Sequence, residues 1–245
     1  MTPQCKATII TLLGPLFHPA HFVYLLIDDM QSWKSYPDWV LSFRPGYSFL
    51  KKPMPWLPFV ATNWLNMYLR TDMKVFEYGS GASTIFMAER AGEVFTVEHD
   101  KQWYAEVSNA LRQRGITNCV YQLREPSFHQ EGPCFASGDC VRTLIADPSE
   151  RENPGVHFDS YIATIDTHPA ETFDLVLVDG RARHACIRRA VPKIKKGGYL
   201  MLDNANDSRL VDCLELMRSY RRSDLQGIAP GWPPARWTTS VWEIT

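Results

Sequence analysis

Four short clusters in this 245-residue chain carry side chains that could do chemistry. The first is Glu77-Tyr78-Gly79-Ser80-Gly81-Ala82-Ser83-Thr84. Gly79 and Gly81 allow a tight turn and let a ligand approach the backbone, and a helix after such a turn presents free N–H groups. The second cluster is Glu98-His99-Asp100. Glu98 lies 21 residues beyond Glu77, about what one helix needs to return the chain beside a first strand. A carboxylate there can accept both hydroxyls of a ribose. The glycine turn alone is a weak signal. Together with Glu98 at this spacing it points to an adenosine-containing ligand.

The other two clusters are Asp179-Gly180-Arg181-Ala182-Arg183-His184 and Asp203-Asn204, each behind an apolar run. They support two readings. In one, Asp179, Asp203 and Asn204 hold Mg²⁺, because two carboxylates and an amide oxygen are hard ligands. In the other there is no metal. Asp179 and Asp203 then bind substrate or organise loops, and His184 or His99 serves as base, since imidazole titrates near neutrality. Arg181 and Arg183 are candidates for holding an anionic substrate group.

Positioning these clusters requires a regular alternation of elements. Apolar runs at 75–78, 94–97, 119–123, 173–178, 199–202 and 237–244 read as strands. Stretches at 82–91, 102–114, 157–167, 183–195 and 208–220 read as helices, with Pro192 breaking the fourth and Gly197-Gly198 ending it. The run at 173–178 is continuously apolar, as in a strand buried on both faces. Strands alternating with helices predict a largely parallel sheet covered on both sides. Ligands of such sheets sit beyond the carboxyl ends of the strands, where strand order reverses.

Residues 1–70 differ in character. They are aromatic and interrupted by proline, with helices expected near 20–34 and 57–70. Residues 7–27 contain no Asp, Glu, Lys or Arg, but Gly14, Pro15 and Pro19 cut the segment into short apolar runs. It reads as an extension packed on the domain, with peripheral membrane contact as the alternative. A second irregular stretch, 125–156, is rich in Pro, Gly and polar residues. Long unstructured insertions in compact domains are usually functional. The insertion, with Trp33, Trp39, Tyr47 and Trp56, is expected to shape an acceptor pocket.

Composition bounds the rest. A hydrophobic share of 45% and a charged share of 22% are those of a globular protein of one domain. The net charge of −1 gives no electrostatic footprint for nucleic acid. None of the six cysteines forms a C-x-x-C pair, so they read as reduced thiols of a cytoplasmic protein, with a bridge between Cys134 and Cys140 of one loop as the alternative. Nothing in the sequence sets an oligomeric state.

Two details choose among adenosine ligands. A dinucleotide fingerprint would want glycine at Thr84, and it is absent. Glu77, two residues before the first glycine, adds like charge to a pyrophosphate but suits a ligand carrying an ammonium and a sulfonium. Both favour S-adenosylmethionine over NAD. The stretch Val75-Phe76-Glu77-Tyr78-Gly79-Ser80-Gly81-Ala82-Ser83-Thr84 resembles motif I of the class I S-adenosylmethionine-dependent methyltransferases. Val97-Glu98-His99-Asp100 resembles their acidic second-strand tip, 173–180 their fourth-strand motif, and 195–204 their passage into the fifth strand. The resemblance covers 71–245.

It implies an α/β, Rossmann-like, doubly wound, seven-stranded, mostly parallel sheet with an antiparallel last strand at 237–244, preceded by the helical extension. It also implies that the motif I residues Glu77, Tyr78, Gly79, Ser80, Gly81, Ser83 and Thr84 surround the cofactor, with Glu77 and the glycines at its methionine part. Glu98 would hold the ribose, His99 would lie near the adenine, and Asp179 would sit beneath the transfer centre. The Asp179 and Asp203-Asn204 pattern is similar to the catechol and caffeoyl-coenzyme A O-methyltransferases. Those enzymes carry lysine three residues after the first Asp, where this chain has Ala182.

The expected acceptor is a small molecule, methylated at a hydroxyl oxygen. The sequence Asp179-Gly180-Arg181-Ala182 lacks the [D/N]-P-P-[Y/F] pattern of enzymes acting on base or amide nitrogens, which weighs against a nucleic-acid substrate. The competing classes are an NAD-dependent oxidoreductase on a similar sheet and a non-catalytic binding protein that keeps the fold.

Overall fold

A computed structural model describes residues 32–128, 156–232 and 237–245. A 3-10 turn at Ser32–Ser35 leads into α1 (Tyr36–Leu41), followed by α2 (Phe59–Tyr68), β1 (Lys74–Tyr78) and α3 (Ala82–Ala88). Next come β2 (Glu93–Glu98), α4 (Lys101–Gln113), β3 (Cys119–Leu123), β4 (Ser127–Phe128), β5 (Val156–His157) and α5 (Asp159–Ile162), which continues as a 3-10 turn to Thr167. The chain then forms β6 (Phe173–Val178), α6 (Arg183–Ala190), β7 (Ile194–Leu202), α7 (Val211–Leu216), β8 (Arg221–Gly227) and β9 (Trp237–Glu243).

Seven strands make one sheet in the order β3-β2-β1-β6-β7-β9-β8. Strands β3, β2, β1, β6 and β7 are mutually parallel, and β9 runs antiparallel to both its neighbours. The chain steps outward from β1 to β2 and β3, then returns to pair β6 on the other side of β1. Strand order therefore reverses at β1–β6. Register aligns the tips there: Tyr78 pairs with Val97 and Val178, and Val178 with Leu202. The residues after those partners, Gly79, Glu98, Asp179 and Asp203, share one edge of the sheet.

Alternation of side chains along each strand divides the core into two layers. Val75, Leu175, Leu177 and Met201 pack with Phe86 and Met87 of α3 and Leu65 of α2. Phe76, Tyr78, Val176, Val178 and Leu202 pack with Tyr161, Cys186 and Ile187 on the opposite face. Helix α2 lies in the first layer, so part of the segment before residue 70 belongs to the sheet's own core. Trp39 of α1 packs on Phe59 and Ile228, and its indole N–H donates to the Trp232 carbonyl at 3.1 Å.

Several elements differ from the sequence expectation. The helix expected over 183–195 ends at Ala190, and a 3-10 turn carries Pro192 straight into β7. That strand begins at Ile194, so Gly197 and Gly198 lie inside it. The glycines mark a shift in register, where Phe173 and Leu175 oppose Ile194 and Tyr199. The helix expected over 208–220 shortens to α7 after a 3-10 turn. Strand β8 was not expected at all. Its residues are polar and mostly exposed, and it is held by its pairing with β9. Charged side chains are common on such edges because they discourage pairing with further chains.

Most of the 125–156 insertion lies outside the described residues, as do 7–27 and most of the 20–34 helix. The ends of the insertion pair as β4 and β5. Cys119 is half-buried, and Cys186 and Cys213 are buried. Among the described residues no helix is long and apolar enough to cross a membrane.

Candidate active site

The tips of β1 and β6 come together because both carry glycine. Gly79 has φ +86°, and a Cβ there would lie 2.7 Å from Gly180 Cα. A Cβ on Gly180 would lie 2.0 Å from the Tyr161 hydroxyl. Gly81 differs: its backbone is extended, and an added Cβ would meet nothing closer than Trp103 at 3.9 Å. The fold therefore does not explain Gly81, whereas a ligand passing close to the backbone would.

Glu77 is fully buried beneath this turn. It accepts hydrogen bonds from the hydroxyls of Ser83 (2.5 Å), Thr84 (2.6 Å) and Thr96 (3.0 Å). Burial pushes its pKa up to about 7, against the hydrogen bonds from those hydroxyls. Thr84 Oγ1 in turn accepts from the Gly81 N–H at 3.0 Å. Glu77 thus braces the loop from below and does not reach the cavity. Tyr78 and Thr84 are buried with it, the Tyr78 hydroxyl donating to the Ile162 carbonyl at 2.8 Å.

Glu98 faces the opposite circumstance. Burial works against its charge, but hydrogen bonds from its neighbours outweigh burial and hold the carboxyl at about 2. Oε2 accepts from the Ser80 N–H (3.0 Å) and hydroxyl (2.7 Å). Oε1 accepts from the backbone N–H groups of His99 (2.8 Å) and Asp100 (2.9 Å), and His99 Nδ1 stands 2.7 Å away. Ser80 Oγ is also 2.6 Å from the Tyr121 hydroxyl. Glu98 is ionised and rigidly aimed.

A cavity of about 440 Å³ opens over these groups. Gly79, Ser80, Gly81, Ser83, Glu98, His99 and Asp179 all line it. Glu77, Tyr78, Thr84, His184, Asp203 and Asn204 do not. His184 is buried on α6, which takes it away from the position a base at this cavity would need. His99 lies at the cavity, its ring in T-shaped contact with Phe158 and Tyr161.

Phe49, Leu50 and Trp103 also line the cavity, and sequence reasoning missed them. Trp103 had a legible signal. Asp100 caps α4 by accepting from the Trp103 N–H at 2.8 Å, so the third residue of that helix stands over the tip of β2. The Trp103 indole then donates to the Ser80 carbonyl at 2.7 Å and stacks on Trp56 with ring centroids 6.4 Å apart. Trp56 lies on the cavity wall; Trp39 and Tyr47 do not.

At the far end of the cavity Asp179 keeps 26% of its side chain exposed. Burial and the neighbouring Asp203 carboxyl raise its pKa well above the ordinary range, against the pull of Arg183. Asp203 is buried and accepts from the Thr239 hydroxyl at 2.5 Å. The Arg183 guanidinium spans both strand tips. It donates to Asp179 Oδ1 (3.2 Å), to Asn204 Oδ1 (3.2 Å) and to the Asp203 carbonyl. The three residues expected to hold Mg²⁺ are therefore bound to an internal cation.

No family model and no curated protein matches the chain. Among solved structures, a putative O-methyltransferase from Klebsiella pneumoniae superposes with a TM-score of 0.51 at 16% identity, over 84% of this chain and 94% of that one. The fold is that of the class I S-adenosylmethionine-dependent methyltransferases. Two other proteins with this methyltransferase fold are similar at TM-score 0.48. One is the O-methyltransferase TomG from Streptomyces achromogenes, at 16% identity over 76% of this chain and 79% of its own. The other is the tRNA (m1A58) methyltransferase TrmI from Aquifex aeolicus, at 14% identity over 76% and 68%. At 16% identity the likeness to the Klebsiella pneumoniae protein speaks for the fold and leaves the acceptor to the site itself.

Proposed function

We propose that this chain binds S-adenosylmethionine in the cavity over Gly79–Gly81 and transfers its methyl group to a small molecule, at a hydroxyl oxygen. The observation that carries the reading is the pairing of Gly81 with Glu98. The first is a glycine the fold does not need, and the second is an ionised carboxylate on the same wall, at the point where strand order reverses. A cavity of about 440 Å³ is of small-molecule size.

When bound, S-adenosylmethionine supplies a methyl group already activated on a sulfonium. The chain's residues bind, orient and exclude water. Glu98 takes the ribose hydroxyls. The lone-pair positions of its carboxylate are filled by Ser80, His99 and Asp100, so a ribose hydroxyl displaces the Ser80 hydroxyl, for which Tyr121 is a ready alternative partner. Burial removes Glu77 from contact with a cationic ligand and leaves Asp179 and Asp100 as the further carboxylates on the wall. Asp179 then faces the transfer end, where it can orient an acceptor hydroxyl and take its proton.

Calorimetry with S-adenosylmethionine, S-adenosylhomocysteine and NAD tests the reading. Micromolar binding of the first two is expected, and binding of NAD alone would sink it. Glu98→Ala is expected to weaken S-adenosylmethionine by ten-fold or more, about 1.4 kcal/mol; unchanged affinity refutes the ribose role. A screen of hydroxylated small molecules with labelled methyl donor then identifies the acceptor. Cofactor binding without label transfer to any of them, or to RNA, would favour a non-catalytic role.

A further inference from the structure

Arg183 is placed by an unusual start to α6. Ala182, the residue before the helix, adopts a left-handed conformation with φ +50°. That reversal turns the first helical side chain back over the strand tips. The Arg183 Nε–H donates to the Gly180 carbonyl at 3.0 Å, and Nη1 donates to the Asp203 carbonyl. Nη2 reaches the Asp179 carbonyl at 3.3 Å, its Oδ1 at 3.2 Å and Asn204 Oδ1 at 3.2 Å. Asn204 itself is held at φ +54°, which presents its amide oxygen to the same guanidinium. The Arg183 side chain is only 14% exposed.

Two side chains of the donor set that suits a hard divalent ion, Asp179 and Asn204, are thus already engaged by a fixed monovalent one. Mg²⁺ demands near-octahedral oxygen ligands at about 2.0–2.1 Å. Reaching Asp179, Asp203 and Asn204 together would require expelling a guanidinium bonded to the Asp179 carboxyl, the Asn204 amide oxygen and the Asp203 backbone carbonyl. The expelled group would leave at least four hydrogen bonds behind and stand beside a second positive charge. Thr239 further occupies Asp203 Oδ1. These residues do not fit a metal.

We propose that Arg183 is the resident cation of this site, taking the place of a divalent metal at the strand-end carboxylates and fixing Asp179 at the cavity wall. Arg183 is a positioning residue that acts through Asp179. Metal-independent methyl transfer follows, and that consequence rests on the methyltransferase reading above; occupancy by arginine does not.

The test is a titration with Mn²⁺ alone, read by electron paramagnetic resonance, on the full chain without methyl donor. The wild type is expected to bind no stoichiometric Mn²⁺. One Mn²⁺ per chain, lost in Asp179→Asn, overturns the proposal. Arg183→Ser, checked for folding by circular dichroism, is expected to gain one Mn²⁺ as the carboxylates lose their counter-ion. A folded Arg183→Ser that takes none overturns the idea that the guanidinium holds the metal's place. If that variant does not fold, Arg183→Lys keeps a cation with fewer donors. It is expected to fold and still refuse Mn²⁺, and Mn²⁺ binding by it overturns the proposal. Calorimetry of S-adenosylmethionine in EDTA separates the two readings, because failure of the methyltransferase reading removes cofactor binding and leaves the Mn²⁺ results unchanged.

Discussion

Glu77 has three hydroxyl donors and no route to water. Its carboxyl titrates near 7 in the folded chain, against an ordinary value of 4.5. Between these values the folded state holds a proton that the unfolded state has released. Stability therefore falls as pH rises through this window, and the loss is complete above about 7. Glu77→Gln is neutral throughout, and the Ser83, Thr84 and Thr96 hydroxyls can rotate to accept from its amide. Urea unfolding at pH 5.5 and 8 should show the variant gaining on the wild type at the higher pH. Parallel curves would mean that Glu77 titrates as an exposed carboxylate. Glu98 behaves oppositely: its charge persists down to about 2, and the stability it contributes above the ordinary 4.5 is lost as the pH falls from there toward about 2. Two glutamates at neighbouring strand tips thus divide the labour. One braces the loop from a neutral-leaning burial, and the other holds a permanent charge at the cavity. The sequence showed both carboxylates but not which faced the cavity. That depends on the hydroxyls of Ser83, Thr84 and Thr96, whose convergence exists only once α3 and β2 are packed.

The elements that position the site follow from the apolar runs, and the departures have local causes. Strands β1, β2 and β6 were legible because each is an apolar run ending in the residues of interest, and β3 as an apolar run alone. Strand β8 was not, because Arg221-Arg222-Ser223-Asp224 has no apolar period and gains its conformation from β9. The Arg183 clamp was equally hidden, because it depends on the left-handed Ala182 and on two strand tips lying side by side. A boundary near residue 70 divides the sequence by composition, while α2, before it, packs on the sheet. Leu65 of α2 is fully buried against the sheet, in one cluster with Val75, Leu175 and Leu177. Leu65→Ala is expected to cost about 2–5 kcal/mol of unfolding free energy, as for other buried leucines. A change below about 0.5 kcal/mol, the range of surface substitutions, would mean that α2 is a detachable cap.

At the scale of the whole molecule, the cavity is a meeting of parts that are distant in sequence. Phe49 and Trp56 come from the segment before the sheet, Ser80 from the turn after β1, and Trp103 from α4. Asp179 follows β6, and Arg183 comes from α6. A ligand held there ties these parts together only in the folded state, so binding and stability are linked. S-adenosylmethionine at about one hundred times its dissociation constant should add about 2.7 kcal/mol. In a chain of 150–250 residues each kcal/mol raises Tm by about 2–4 °C, so the expected rise is about 5–10 °C. NAD at the same concentration should leave Tm unchanged. Trp56 and Trp103 stack on the cavity wall and provide a second readout, because their fluorescence should change over the same concentration range as Tm. A rise in Tm without a fluorescence change would place the ligand elsewhere on the molecule. No rise at saturating cofactor would leave the open Gly81 backbone and the ionised Glu98 without the ligand that accounts for them both.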